Sequence, residues 1–181
     1  MTTIKEIEET TRTLRESGFC CSKAILKSWL NHKEDKMTTL KEIEETTRTL
    51  HESGFCCSEA ILKSITDAFS TDPVDEITRI ASGFCKGVGK TGEDICGTVA
   101  GGVMAVGVLY GRNEPGRNIS AACDHAAEFR RRFIEAYGTT NCAGLLEKFG
   151  DQKKMHKCKG MTAKAAGILA NILSKVQIES T

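Results

Sequence analysis

The stretch ICGTVAGGVMAVGVLY at residues 95–110 decides how this chain folds. It is apolar throughout, contains four glycines and is followed by Gly111. A membrane-spanning helix needs about 20 apolar residues, so this shorter stretch predicts a helix buried in a protein core. Gly97, Gly101 and Ala105 are spaced four residues apart. That spacing places them on one face of the helix, where another backbone can approach closely.

The segments on both sides of this stretch also have helical patterns. Thr39 and Glu42 form the Thr-x-x-Glu pattern of a capping box, and Asp72-Pro73 predicts a helix over 73–82. Amphipathic segments that stop at a glycine or run to the C-terminus predict helices at 119–137, 141–149 and 163–176. No alternating strand pattern competes with them. The sequence therefore predicts an all-α fold, a compact helical bundle.

The N-terminus contains a near-exact duplication. Residues 1–28 are repeated at 37–64 with three differences, which are Ile4/Leu40, Arg15/His51 and Lys23/Glu59. Two copies are too few for a solenoid, so the simplest interpretation is a duplicated start of a shorter ancestral gene. We therefore divide the chain into a duplicated N-terminal helical hairpin with its joint, 1–36, and a cysteine-rich helical domain, 37–181.

The composition limits the classes of function. The 181 residues include 25 Lys and Arg against 24 Asp and Glu, and this balance lacks the basic excess that binding to nucleic acid requires. The sequence predicts no membrane span. The charged N-terminus lacks the apolar core of a signal peptide, so we expect a cytoplasmic protein. We expect its nine cysteines to be reduced, which favours a metal site or redox chemistry over a disulfide framework.

Four cysteines occupy places that favour a thiolate. Cys57, Cys96 and Cys142 are predicted in the first turns of their helices, where free N–H groups and the helix dipole stabilise the anion. Cys158 is predicted in a basic loop two residues after His156, the one histidine that we expect near a site. These four elements form one site only if the bundle brings their ends together.

The remaining cysteines are less informative. Cys123 shares an apolar helix face, so a core position and a functional role are equally open. The roles of Cys56 and Cys85 stay open as well. Cys20 and Cys21 in the first copy are expected to be spectators.

The order of these motifs resembles a known family. It reads Cys57-Ser-Glu-Ala, Gly92-x-x-x-Cys96-Gly97-x-x-x-Gly101, Gly107-Val-Leu-Tyr-Gly111, Asn141-Cys142-x-x-Leu145-Leu146 and Cys158. This order resembles the C_GCAxxG_C_C family of redox-active proteins and covers about residues 48–160. Two positions depart from the family pattern, since Thr98 replaces an expected alanine and Cys85 stands where glycines are usual.

The resemblance implies that the helical domain at residues 37–181, of which it covers about 48–160, is a small redox domain. The positions that match the cysteine pattern are Cys57, Cys96, Cys142 and Cys158. A related domain in split-Soret cytochrome c is associated with an iron–sulfur centre, so the resemblance implies a redox role and a cluster.

Three hypotheses follow. In the first, the four cysteines hold an iron–sulfur cluster for electron transfer, with Cys85 or Cys123 as substitutes. The face of Gly97 and Gly101 would then let the backbone close over the cluster.

The second hypothesis is a metal-free thiol–disulfide protein, in which Cys96 attacks and Cys142 or Cys57 resolves. The third is a structural zinc site, or a helical module that binds another protein. The chain shows no arrangement for acid–base catalysis. A redox partner protein is expected but not identified, and the glycine-rich and apolar helices are compatible with a homodimer.

Overall fold

The computed structural model describes residues 39–70 and 76–179, which all lie within one compact unit, Thr39–Thr181. The first copy of the duplication, with Cys20 and Cys21, lies outside the described residues, and so does the predicted helix start at Asp72-Pro73.

Six α-helices make up most of the described part. They are α1 (Leu40–Glu52), α2 (Cys57–Phe69), α3 (Gly97–Tyr110), α4 (Ser120–Tyr137), α5 (Cys142–Phe149) and α6 (His156–Glu179). Two short 3-10 helices, Thr78–Phe84 and Lys153–Met155, precede a glycine-rich loop and α6 respectively. These residues contain no strand, and the predicted all-α fold is confirmed. None of these helices combines the length and the apolar character needed to cross a membrane.

The helix boundaries follow local signals closely. At the start of α1, the Thr39 N–H donates to Glu42 Oε2 at 2.7 Å and the Glu42 N–H donates to Thr39 Oγ1 at 3.3 Å, so the predicted capping box is confirmed. Gly138, with φ 88°, ends α4 in the left-handed conformation that glycine adopts without a steric penalty.

Two boundaries differ from the prediction. The last helix begins at His156 rather than at 163, so Cys158 lies in its first turn and not in a loop. Packing of this helix against α1 outweighs the cost of about 1 kcal/mol for Gly160 inside a helix. The helix predicted over 73–82 appears, within the described residues, as the 3-10 helix Thr78–Phe84.

The predicted close approach at α3 is confirmed. A Cβ atom added at Gly101 would lie 2.1 Å from the carbonyl oxygen of Ser58, and one at Gly102 would lie 2.4 Å from the ring of Phe129. Helix α3 can therefore pack this tightly against α2 and α4 only with glycine at these positions. The largest buried side chains around it include Ile61, Ile65, Phe129, Phe133, Leu169 and Leu173.

Candidate functional site

A cavity of about 390 Å³ opens where the first turns of α2, α5 and α6 meet the start of α3. Four free thiols line it, those of Cys57, Cys96, Cys142 and Cys158. The exposed fractions of the three buried cysteines, Cys96, Cys142 and Cys158, are 4%, 6% and 9%, while Cys57 is half-buried. The fold thus brings together the four cysteines that the sequence analysis selected from four different elements.

Two of these cysteines are held side by side by backbone pairing. The Cys96 N–H donates to the carbonyl of Thr140 at 2.7 Å, and the Cys142 N–H donates to the carbonyl of Asp94 at 2.7 Å. These bonds belong to a single antiparallel bridge between Ile95 and Asn141. The bridge therefore fixes the beginning of α3 against the beginning of α5.

Cys142 begins α5 as predicted, whereas Cys96 lies one position before the first turn in which it was predicted. Cys96 is itself the N-cap of α3, because Asp94 adopts a left-handed φ of 60° and stands before the helix. Asn141 caps α5, and its side chain accepts a hydrogen bond from the Gly144 N–H at 3.0 Å. Both thiols still lie at helix starts, as expected.

Cys57 is the first residue of α2, and its Sγ atom lies next to Gly97. A Cβ atom at Gly97 would lie 2.6 Å from Cys57 Sγ and 2.2 Å from the carbonyl oxygen of Phe84. Gly97 lines the cavity, whereas Gly101 faces Ser58 and serves the packing of α3 on α2. Of the two glycines expected at the site, the structure therefore places Gly97 there and Gly101 outside it.

Gln152 forms two hydrogen bonds with Cys158, and the sequence pattern did not predict this role for it. The Cys158 N–H donates to Gln152 Oε1 at 3.0 Å, and Gln152 Nε2 donates to Cys158 Sγ at 3.3 Å. Gln152 precedes α6 in an irregular segment, and nothing in its local sequence pattern marks it. Its amide fixes the position of the sulfur and supplies a hydrogen-bond donor to it.

Burial, rather than the helix ends, dominates the acidity of these thiols. It raises the pKa of Cys96 to about 12 and that of Cys142 to about 11, and it also raises the pKa of Cys57 and Cys158. The backbone N–H groups of Lys86 and Ser58 act on Cys57 in the opposite direction but do not outweigh burial. The expectation of ready thiolates is therefore wrong for the metal-free protein.

The same four thiols influence one another electrostatically. Negative charge on Cys57 raises the pKa of Cys96, Cys142 and Cys158, while the ammonium group of Lys86 lowers the pKa of Cys142 and Cys158. Such coupling arises only between groups that are close together in a poorly solvated environment. Cys57 is therefore electrostatically coupled to each of the other three thiols, and ionisation of one disfavours ionisation of the next.

A histidine also lines this cavity, and it is His51 rather than the predicted His156. His51 lines the cavity, and its Nδ1 atom is buried without a hydrogen-bond partner in the described structure. Burial, assisted by the charge of Lys159, lowers the pKa of His51 to about 4, so the ring is neutral at pH 7. His156 is exposed and does not line the cavity, so the expectation for it is wrong. The sequence did distinguish His51 in one respect, because it is one of the three positions at which the two copies differ, and the first copy has Arg15 there.

A disulfide between Cys56 and Cys85 lies in the wall of the same cavity. The expectation that all the thiols are reduced is therefore wrong for this pair, because the fold brings their Cα atoms to 5.2 Å, within bonding range. Cys85 is thus not a free thiol that can substitute as a ligand. Cys123 is exposed on α4 and does not line the cavity, so it is neither a core residue nor a substitute ligand here.

The carboxylate of Glu59 accepts two hydrogen bonds beside the disulfide. Its Oε2 accepts a hydrogen bond from the Cys56 N–H at 2.7 Å, and its Oε1 accepts one from the Ser82 hydroxyl at 2.5 Å. The first copy of the duplication has Lys23 at the position of Glu59, and lysine cannot accept hydrogen bonds. Of the three differences between the copies, one therefore concerns His51, which lines the cavity, and another concerns Glu59, which holds the backbone of the lining residue Cys56.

Thr98 explains one departure from the family pattern. Its hydroxyl lies 2.8 Å from the hydroxyl of Thr162 on α6, and both side chains are buried. Thr162 in turn donates to the carbonyl of Cys158 at 2.9 Å. The threonine that replaces the expected alanine therefore ties the start of α3 to the turn that carries Cys158.

The sulfurs line the walls of the cavity and do not converge on one point. Within residues 39–70 and 76–179, no three Cys, His, Asp or Glu side chains are grouped closely enough to hold a single metal ion. Instead, the four thiols are distributed over the lining of one cavity.

Comparison with known proteins gives one match. The C_GCAxxG_C_C family, described as "Putative redox-active protein (C_GCAxxG_C_C)", matches residues 55–172, a stretch that contains all four free cysteines of the cavity. No curated protein and no solved structure matches this chain. This chain therefore belongs to the C_GCAxxG_C_C family of redox-active proteins.

Proposed function

We propose that this protein is an electron-transfer protein, in which Cys57, Cys96, Cys142 and Cys158 hold an iron–sulfur cluster. The observation that carries the proposal is that four free thiols from four elements line one cavity. Cysteine thiolates are the usual ligands of such clusters. When bound, the cluster would supply one-electron redox chemistry, and its iron would stabilise the thiolate forms that burial disfavours.

The grouping of possible ligands favours a cluster over a single zinc ion, because no three Cys, His, Asp or Glu side chains among the described residues lie close enough to hold one ion. Four thiolates around one zinc ion, at Zn–S distances of about 2.3 Å, lie within about 4 Å of one another. A polynuclear cluster takes its ligands from around a larger body, and the four thiols that line one cavity are compatible with this. The structural zinc site that the sequence left open is therefore the weaker proposal.

The residues around the thiols suit a redox centre. Hydrogen bonds to ligand sulfurs tune the potential of such centres. Gln152 donates one to Cys158 Sγ, and the Lys86 N–H provides one for Cys57. Low exposure of the sulfurs limits access of water to them.

Anaerobic reconstitution of the full chain with iron and sulfide tests this proposal. We expect the broad visible absorbance of sulfur-to-iron charge transfer, with iron and acid-labile sulfide in matched amounts. Cys96→Ser and Cys142→Ser should each lower the iron retained. Cys123→Ser and the double variant Cys20→Ser/Cys21→Ser should retain iron like the natural chain. A colourless protein that binds only zinc would refute the cluster.

The disulfide favours a second candidate function, thiol–disulfide exchange. This proposal uses Cys56 and Cys85 rather than the attacking Cys96 of the sequence-based hypothesis. An external dithiol would supply two electrons and two protons, becoming a disulfide while Cys56 and Cys85 become thiols. Glu59, which holds the Cys56 backbone, would keep the pair in position through the cycle.

Equilibration with thiol buffers of graded potential, followed by alkylation and mass analysis, tests this second function. We expect one two-electron transition in the natural chain and none in Cys85→Ser. Cys123→Ser provides the control, since it removes an exposed thiol outside the cavity. If the Cys56–Cys85 bond stays oxidised across the cellular range of potentials, its role is structural and the exchange function is wrong.

A further inference from the structure

Four lysines surround the mouth of the cavity, and we call them the lysine rim. They are Lys86, Lys90, Lys154 and Lys159. No Asp or Glu is among the described residues that line the cavity. In a chain with nearly equal numbers of acidic and basic residues, such segregation creates a positive field at one opening.

The ammonium groups of the rim lysines are not used to hold the fold together, although the backbones of Lys86 and Lys90 form hydrogen bonds within the loop. Within the described residues, their side chains make no hydrogen bond and no salt bridge. Other lysines do, since Lys148 donates to the carbonyl of Tyr137 at 3.0 Å and Lys164 pairs with Glu44 at 2.5 Å. The charges of the rim are therefore available to a ligand.

The backbone conformation at three of the rim positions is energetically unfavourable for lysine. Lys86, Lys90 and Lys154 have φ values of 48°, 65° and 49°, in the left-handed region. A non-glycine residue there costs about 1–2 kcal/mol, and the neighbouring Gly87 and Gly89 show the residue type that the region favours. Lysine at three such positions is best explained by what its side chain provides, which is positive charge.

The exposure of the rim argues against a small anion as its ligand. Lys86, Lys90 and Lys154 are exposed, and an exposed lysine gains little from a single small ion in water. An extended acidic surface interacts with all of them at once and is steered toward them over about 8 Å at physiological salt. Exposed apolar side chains lie among these charges, Phe55 in the cavity wall and Val88 between Lys86 and Lys90 in the chain, as in the centre of a docking patch.

We propose that the lysine rim docks a small acidic one-electron carrier protein over the mouth of the thiol cavity. The inference rests on the proposed electron-transfer function. In each encounter the reduced carrier loses one electron and this protein gains it. The rim comes from two separate segments, 86–90 and 154–159, so that docking places the carrier above the buried thiols.

Binding of an acidic flavodoxin, labelled with a fluorophore, tests the docking. We expect binding to the natural chain at about 0.02 M salt that weakens at about 0.2 M. The double variant Lys90→Glu/Lys154→Glu should weaken binding by at least about tenfold at the lower salt concentration. The matched control is Lys41→Glu/Arg130→Glu, which changes two exposed charges that lie outside the cavity, and it should bind within about twofold of the natural chain.

A second variant separates loss of charge from loss of folding. Lys90→Gly/Lys154→Gly removes the charges and relieves the left-handed backbone, so thermal stability should hold or rise while binding falls. Equal binding by the charge-reversal variant and its control would overturn the proposal. So would tight binding of a duplex RNA that depends on the same lysines, since the rim would then be a nucleic-acid site.

Titration of the reconstituted protein with a reduced viologen distinguishes the docking from the redox centre. If the viologen reduces the protein but the flavodoxin does not bind, the docking is wrong and the electron-transfer function stands. If the flavodoxin binds but the protein accepts no electron from the viologen, the docking surface stands and the electron-transfer function is wrong.

Discussion

Cys96 and Cys142 lie on opposite sides of one antiparallel bridge, each donating its backbone N–H across it at 2.7 Å. The two thiols are 46 positions apart in the chain, yet their backbones are fixed relative to each other by two short hydrogen bonds. The bridge depends on the helix starts that follow it, because each cysteine begins or caps a helix.

Loss of the cap at α5 should loosen Cys142. Asn141→Ala removes the hydrogen bond to the Gly144 N–H and should cost about 1 kcal/mol in the free energy of unfolding. Local opening should also speed alkylation of Cys142 in the metal-free protein. Thr39→Ala is the matched control, since it removes a cap at α1 and should cost a similar free energy without changing Cys142. Unchanged alkylation of Cys142 in Asn141→Ala would show that the bridge holds without the cap.

The raised thiol pKa values predict an order of chemical reactivity. At pH 8, a pKa of about 11 leaves about one part in a thousand of Cys142 as thiolate, and Cys96 has still less. Among the five free cysteines of the described residues, iodoacetamide should therefore modify the exposed Cys123 first, as followed by intact mass and peptide mapping. The modification rate of Cys142 should climb as the pH rises toward 11. Equal rates at Cys96 and Cys123 in the folded protein would contradict the burial that raises the pKa.

The lowered pKa of His51 predicts a loss of stability in mild acid. The folded protein holds His51 neutral until about pH 4, whereas the unfolded chain takes up a proton near its ordinary pKa of 6.5. The unfolded state therefore binds more protons between these values, and stability falls as the pH drops from 6.5 toward 4. Urea unfolding at pH 7 and pH 5 should show a smaller fall for His51→Gln than for the natural chain. Identical falls in both proteins would assign the effect to other groups.

Two glycines of α3 should respond oppositely to the same substitution. Gly97→Ala places a methyl group 2.6 Å from Cys57 Sγ and 2.2 Å from the carbonyl of Phe84, and should destabilise the fold by about 1–3 kcal/mol. Gly107→Ala has no described atom within 4 Å and should stabilise the helix by up to about 1 kcal/mol. Thermal unfolding compares them directly. A neutral Gly97→Ala would mean that α3 can move away from Cys57 without penalty.

The sequence by itself determined the helices and most of their limits, because the signals for them are local. The capping pair Thr39 and Glu42, the stop at Gly138 and the small-residue face of α3 are read from residues a few positions apart. Predicted helix starts selected Cys57, Cys96 and Cys142, and basic neighbours together with the family pattern selected Cys158. Family membership followed from the same order of motifs.

Only the tertiary structure decided what those thiols experience. Helix ends alone predict thiolates, but burial of four sulfurs in one cavity raises their pKa values, and no local pattern contains that burial. The Cys56–Cys85 bond, the neutral His51 and the grip of Gln152 on Cys158 likewise join residues through packing between separate elements or across an irregular turn. Periodicity determines which face of a helix is apolar, whereas the approach of distant helix ends depends on how the whole core packs.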